Sequence, residues 1–141
     1  MVILKGHIVQ GCGHFSERMK CSDFRAAYRR VTGEMPCLGT LNVEVHKCIP
    51  IKEHFRIRWT EYDDPIPGPK QDLLFEICRM NGIWGYRIRP YDLCTGAGGH
   101  GDHVLEIACS IKIPNAATGA EVQIELFRAD TEASRWPDVL P

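Results

Sequence analysis

The stretch Leu73-Leu74-Phe75-Glu76-Ile77-Cys78-Arg79-Met80-Asn81-Gly82-Ile83-Trp84-Gly85-Tyr86-Arg87-Ile88-Arg89 decides the fold. Asn81-Gly82 is the strongest short hairpin signal in the chain, because a two-residue loop between twisted strands needs φ > 0 at both central positions. Segments 73–80 and 83–89 on either side are rich in β-branched, aromatic and other apolar residues, which predicts an antiparallel pair.

Further strands follow outward from this hairpin. Residues 39–46 alternate, with Leu41, Val43 and Val45 on one face and Thr40, Asn42, Glu44 and His46 on the other. Residues 55–60 alternate through Phe55, Ile57 and Trp59, and segments 2–10, 104–109 and 121–127 complete seven candidate strands. Helical spacing is clear once: Phe24, Ala27, Tyr28 and Val31 repeat at i, i+3, i+4 and i+7, opposite Arg25, Arg29 and Arg30. Ser22 suits the N-cap, Asp23 the first turn and Gly33 the C′ position, so a helix is predicted over 23–32. Seven short strands and one helix predict a mainly β protein, a single six- or seven-stranded β-barrel with one short packed α-helix. The barrel domain is expected over residues 1–131, with a C-terminal tail at 132–141 that holds Trp136.

Composition agrees with one such domain. The chain has 141 residues, 44% hydrophobic and 25% charged, with 17 Lys+Arg against 18 Asp+Glu. A net charge of −1 leaves no basic footprint and argues against nucleic acid as a partner. No apolar run reaches the roughly 18 residues of a membrane span, and the N-terminus lacks signal-peptide features, so a cytoplasmic protein is expected. The seven cysteines, at 12, 21, 37, 48, 78, 94 and 109, form no C-x-x-C pair. Their odd count and wide spacing fit neither a disulfide scaffold nor a zinc ribbon, which leaves reduced, buried, small apolar residues. Asp63 to Pro69 carries three prolines (Pro65, Pro67, Pro69) and is read as an extended surface loop.

Several residues are candidates for chemistry. Gly11-Cys12-Gly13-His14-Phe15 follows the first strand, and its glycines either let backbone N–H groups turn toward an anion or simply make a turn. Thr40 and Asn42 stand two apart on one strand, so their oxygens point the same way. They are either solvent-facing polar positions or joint ligands of one hard cation such as Mg²⁺, which keeps most of its water and takes few protein ligands. Glu106 lies in an otherwise apolar strand, where a carboxylate either points out of the barrel or is held at a pocket to accept a substrate hydroxyl. His100, Asp102 and His103, with Cys94 nearby in sequence, lie in or beside the glycine-rich run from Thr95 to Gly101, read as a metal-binding cluster or a mobile lid.

Together these stretches resemble the archaeal CTP-dependent riboflavin kinases, small β-barrel enzymes of the cradle-loop type. The likeness runs from about Leu4 to Phe127. It passes through Gly6-His7-Ile8-Val9-Gln10-Gly11-Cys12-Gly13, Gly33-Glu34-Met35-Pro36 and Gly39-Thr40-Leu41-Asn42-Val43, the most specific piece. It continues through Arg89-Pro90, Val104-Leu105-Glu106-Ile107-Ala108 and Gly119-Ala120-Glu121-Val122. The resemblance implies that Thr40 and Asn42 hold Mg²⁺ and that Gly11, Cys12, Gly13, His14 and Phe15 form the nucleotide loop. It further implies a second nucleotide contact at Ser110, Ile111, Lys112 and Ile113, with Glu106 and Thr95 beside the flavin. Three features depart from the family: Phe15 replaces the third glycine of G-x-G-x-G, Pro114 stands where an arginine is common, and 95–103 is longer and richer in glycine.

The function this implies is phosphoryl transfer from a nucleoside triphosphate, CTP by resemblance, to the ribityl hydroxyl of a riboflavin-like molecule, with Mg²⁺ as cofactor. The alternative is a non-catalytic small-molecule or metal-binding barrel whose nucleotide loop has lost its function. A kinase acting on another small alcohol is a third.

Overall fold

In the computed structural model, Asn81 and Gly82 have φ of 50° and 80°, the left-handed pair of a type I′ turn, and Met80 pairs with Ile83 across it. The structure describes residues 1–11, 13–35, 39–91 and 103–128. In chain order these form β1 (Val2–Val9), α1 (His14–Arg18), α2 (Ser22–Thr32), β2 (Thr40–Glu44) and β3 (Phe55–Ile57). A 3₁₀ turn at Trp59–Glu61 follows, then β4 (Leu73–Met80), β5 (Ile83–Pro90), β6 (Val104–Cys109) and β7 (Glu121–Leu126). The tail at 132–141 lies outside the described residues.

The strands make one antiparallel sheet in the order β3-β4-β5-β6-β2-β1-β7, and β7 pairs back onto β4. Six strands therefore close a barrel and β3 is added outside it, as the alternation of seven segments predicts. Closure leaves those six without a free edge. β4 serves two partners along one edge: Leu73 to Phe75 pair with β3, and Cys78 to Met80 pair with β7. In the gap between them the His54 N–H donates to Phe75 O at 2.8 Å. The Ile77 N–H donates to His54 Nδ1 at 3.0 Å, so an imidazole supplies the missing rung of the ladder.

Period-2 alternation sorts the side chains. Val2, Leu4, Ile8, Val43, Leu105, Ile107, Ile124 and Leu126 fill the barrel. The opposite face of β4, β5 and β6 presents Phe75, Ile88 and Ala108 to the helices, which cover it with Phe15, Phe24, Ala27 and Tyr28. Edge-to-face contacts link this layer: Phe15 to Phe24 at 5.7 Å, Phe15 to Tyr28 at 5.8 Å and Tyr28 to Phe75 at 5.6 Å. Each such pair contributes about 0.5–1.5 kcal/mol beyond its buried area.

Three local expectations are corrected. The N-cap of α2 is Cys21, not Ser22, and no side chain caps it; Gly33 ends the helix at φ 77° as predicted. The third strand stops at Ile57, because Asp72 accepts the Trp59 N–H at 2.8 Å and Glu61 accepts the Arg58 N–H at 2.7 Å, turning the chain. Trp59 is consequently 48% exposed instead of facing the core. The cysteines are not uniformly buried: Cys78 and Cys109 lie in the barrel, whereas Cys48 is exposed and Cys21 half-buried. Among the described residues, no helix is long and apolar enough to cross a membrane.

The aromatic layer predicts alkaline lability. Burial pushes the Tyr62 phenol up to about 12, and it moves Tyr28 and Tyr86 upward too. Unfolded tyrosines ionise near ~10. Stability from the Tyr62 phenol is complete below about pH 10 and is lost as pH rises through about 12, because the unfolded chain releases a proton that the native chain keeps, and the Tyr28 and Tyr86 phenols act in the same direction. The urea midpoint should be lower at about pH 11 than at about pH 9. Equal midpoints would mean that the native phenols ionise as freely as unfolded ones.

Candidate functional site

The residues singled out from sequence stand on the outer face of two neighbouring strands. Thr40 lies opposite Ala108 and Asn42 opposite Glu106 in the β2–β6 ladder, so all four share one side of the sheet. Thr40 Oγ1 donates to Glu106 Oε2 at 2.8 Å. Of the two orientations open to Glu106, the structure shows the one that points out of the barrel, where the half-buried carboxylate accepts the Thr40 hydroxyl. Asn42 is 7% exposed, which removes the solvent-facing reading for that position.

Thr40 has a second neighbourhood. With Gly39 and Leu41 it lines a cavity of about 170 Å³ whose other walls include Cys109, Ile111, Lys112 and Ile113. The structure therefore brings together two stretches, at 40 and at 111–113, that only the resemblance had connected. Within the second stretch the roles divide. Ile113 is buried in the barrel, Ser110 is half-buried, and Ile111 and Lys112 are exposed at the rim. Lys112 is the cation among the lining residues, well placed to offset negative charge on an occupant.

The first glycine bend packs beside this site, and its two described glycines serve different ends. Gly13 has φ 78° with open space around it, a backbone reason for glycine. Gly11 is not among the positive-φ residues. A Cβ there would instead overlap Asn42 Nδ2 and stand 2.7 Å from Asn42 Cγ. The bend leads into α1, a helix the sequence reading did not anticipate because only five residues form it. Phe15 is 1% exposed and packs on Phe24 and Tyr28, so its ring belongs to the aromatic layer, while His14 is exposed. Arg18 anchors the other end of the helix on Asp64 at 3.2 Å.

Ser16 was missed in sequence. Its Oγ occupies the space beside Gly39, 2.8 Å from where a Cβ would stand. No local pattern marks this serine; it is found only by folding α1 against the start of β2. Cys12, Thr95, His100, Asp102 and Cys94 lie outside the described residues. His103 is exposed, and its carbonyl accepts the Val45 N–H at 2.8 Å.

The donor set fits Mg²⁺ by chemistry. Thr40 and Asn42 offer neutral hard oxygens from one face of β2. So sparse a set suits an ion that retains most of its water and takes the rest of its shell from phosphate. Among the described residues no three His, Cys, Asp or Glu side chains form a group that could hold a metal. Compared with known proteins, the chain matches no protein-family model and no curated sequence.

Proposed function

We propose that the protein transfers a phosphoryl group from a nucleoside triphosphate, CTP in preference, to the ribityl hydroxyl of riboflavin, giving FMN. One observation carries the reading: Thr40 both lines the cavity shared with 111–113 and donates a hydrogen bond to Glu106. Thr40 borders both, its hydroxyl with Glu106 on the outer face and the cavity on the barrel side, where Leu41, Ile107 and Cys109 line it.

Phosphoryl transfer has a loose transition state, which asks a protein mainly for positioning and charge stabilisation. Thr40 and Asn42 would hold Mg²⁺, which when bound supplies positive charge against the phosphates. Ser110 to Ile113 and the backbone of the Gly11–Phe15 bend would contact the nucleotide, with Lys112 adding charge at the rim. Glu106 would orient the acceptor hydroxyl or take its proton. A cytoplasmic setting belongs to the same proposal.

A non-catalytic ligand-binding barrel is the second reading, and one observation favours it. Phe15 fills the position of the family's third glycine with a buried ring.

Incubation with riboflavin, Mg²⁺ and either CTP or ATP separates the readings. FMN formed faster with CTP is the expected result. Flavin bound without turnover supports the binding barrel. No response to flavin at all removes riboflavin as the acceptor and leaves a kinase of another alcohol.

A further inference from the structure

Gly11 and Ser16 meet the start of β2 beside two glycines. The Asn42 carboxamide occupies the place of a side chain at Gly11, and the Ser16 hydroxyl occupies the place of one at Gly39. Gly39 has φ 114°, which itself favours glycine, so it is at Gly11 that the neighbour's side chain alone accounts for the missing Cβ. The carboxamide meets the bend nitrogen first, with Oδ1 3.3 Å from the Gly11 Cβ position. Phe15, fixed among Phe24 and Tyr28, holds the bend from its other side.

We infer that Gly11 is a positioning residue for Asn42: its missing side chain is the slot that fixes the carboxamide on the face shared with Thr40 and Glu106. This rests on the phosphotransferase reading only where Asn42 is taken as a ligand; the slot itself is independent of it. Conformation does not explain a glycine at 11, since its φ is not left-handed. Nor does an alanine there have to break the fold, because the nearest atoms belong to the far end of a side chain that can rotate away. What alanine removes is the orientation of Asn42. Groups that orient a metal ligand affect metal affinity by about 10–100-fold.

A cycle of Gly11→Ala, Asn42→Ala and the double variant tests this with two readouts. One is the side-chain amide NMR signal of Asn42, assigned by its loss in Asn42→Ala. The other is Mg²⁺-dependent CTP affinity by calorimetry. Gly11→Ala should shift the Asn42 signal and weaken Mg²⁺-dependent CTP binding by about 10–100-fold. In the Asn42→Ala background it should cause no further loss, because the space is then vacant. An unmoved amide signal, or losses that multiply in the double variant, would overturn the inference. If the parent protein binds no CTP with Mg²⁺, the phosphotransferase reading fails alone and the amide signal still decides the slot. Should Gly11→Ala not fold, the double variant must; its failure too would sink the idea.

Discussion

Arg128→Met is expected to destabilise the protein by about 3–5 kcal/mol, the range for removing one partner of a buried ion pair. Arg128 follows β7 and reaches back to Glu76 on β4 with Nε to Oε2 at 2.6 Å and Nη2 to Oε1 at 2.7 Å. Its Nη2 also donates to Pro50 O at 2.7 Å. Glu76 is 0% exposed and further accepts the Lys52 N–H at 3.1 Å, with Arg87 Nη1 at 3.6 Å. Arg87 Nη2 in turn donates to Ile49 O at 2.5 Å. One carboxylate thus ties the segment at 49–52, the barrel wall and the chain after β7 together. Methionine fills similar space but leaves that carboxylate without its bidentate partner in a dry interior, where solvation cannot replace it. Against a typical total of roughly 5–15 kcal/mol, such a loss is large. Urea denaturation of both proteins gives the difference directly. Arg128→Lys should recover only part of it, since an ammonium keeps the charge but not the planar fork. A methionine variant within about 0.5 kcal/mol of the parent would show that the pair is hydrated or replaced by another cation.

Under the phosphotransferase proposal, Glu106→Gln should lower the rate of FMN formation by about 10²–10⁴-fold while leaving the urea midpoint nearly unchanged. Glutamine retains an oxygen that can accept the Thr40 hydroxyl, now 2.8 Å from Glu106 Oε2, so the β2–β6 face should keep its geometry. What disappears is the charge that would attract the proton of the acceptor hydroxyl. A matched Asn42→Ala variant should also lose turnover by orders of magnitude, but through weakened Mg²⁺ dependence, so added Mg²⁺ should restore part of its activity and none of that of Glu106→Gln. Normal turnover in Glu106→Gln would remove the carboxylate from the chemistry and favour a role in strand pairing alone.

The barrel was readable because its signals are local. Alternation at 39–46 and the Asn81-Gly82 turn each depend on neighbours within a few residues, as does the Phe24, Ala27, Tyr28, Val31 stripe. The structure has the hairpin, the seven strands and the helix where these patterns put them. The failures are equally physical. Trp59 kept the alternation in sequence but is turned out by Asp72, a residue on the other side of a proline-rich loop. Helix α1 is too short to show a period and exists because Phe15 and Arg18 find partners elsewhere.

The site divides along the same line. Period-2 spacing put Thr40 and Asn42 on one face of a strand, since side chains two apart must share a face, but left open whether they and Glu106 face solvent or a ligand. Pairing Thr40 with Glu106, 66 positions away, needed the β2–β6 register. Seating Asn42 in the gap at Gly11 needed the bend to be folded against β2. Locking Glu76 to Arg128, 52 positions apart, needed β7 to close onto β4. Backbone periodicity is a property of short segments, whereas register and closure are set by how all the segments pack at once, and no window of the chain contains them.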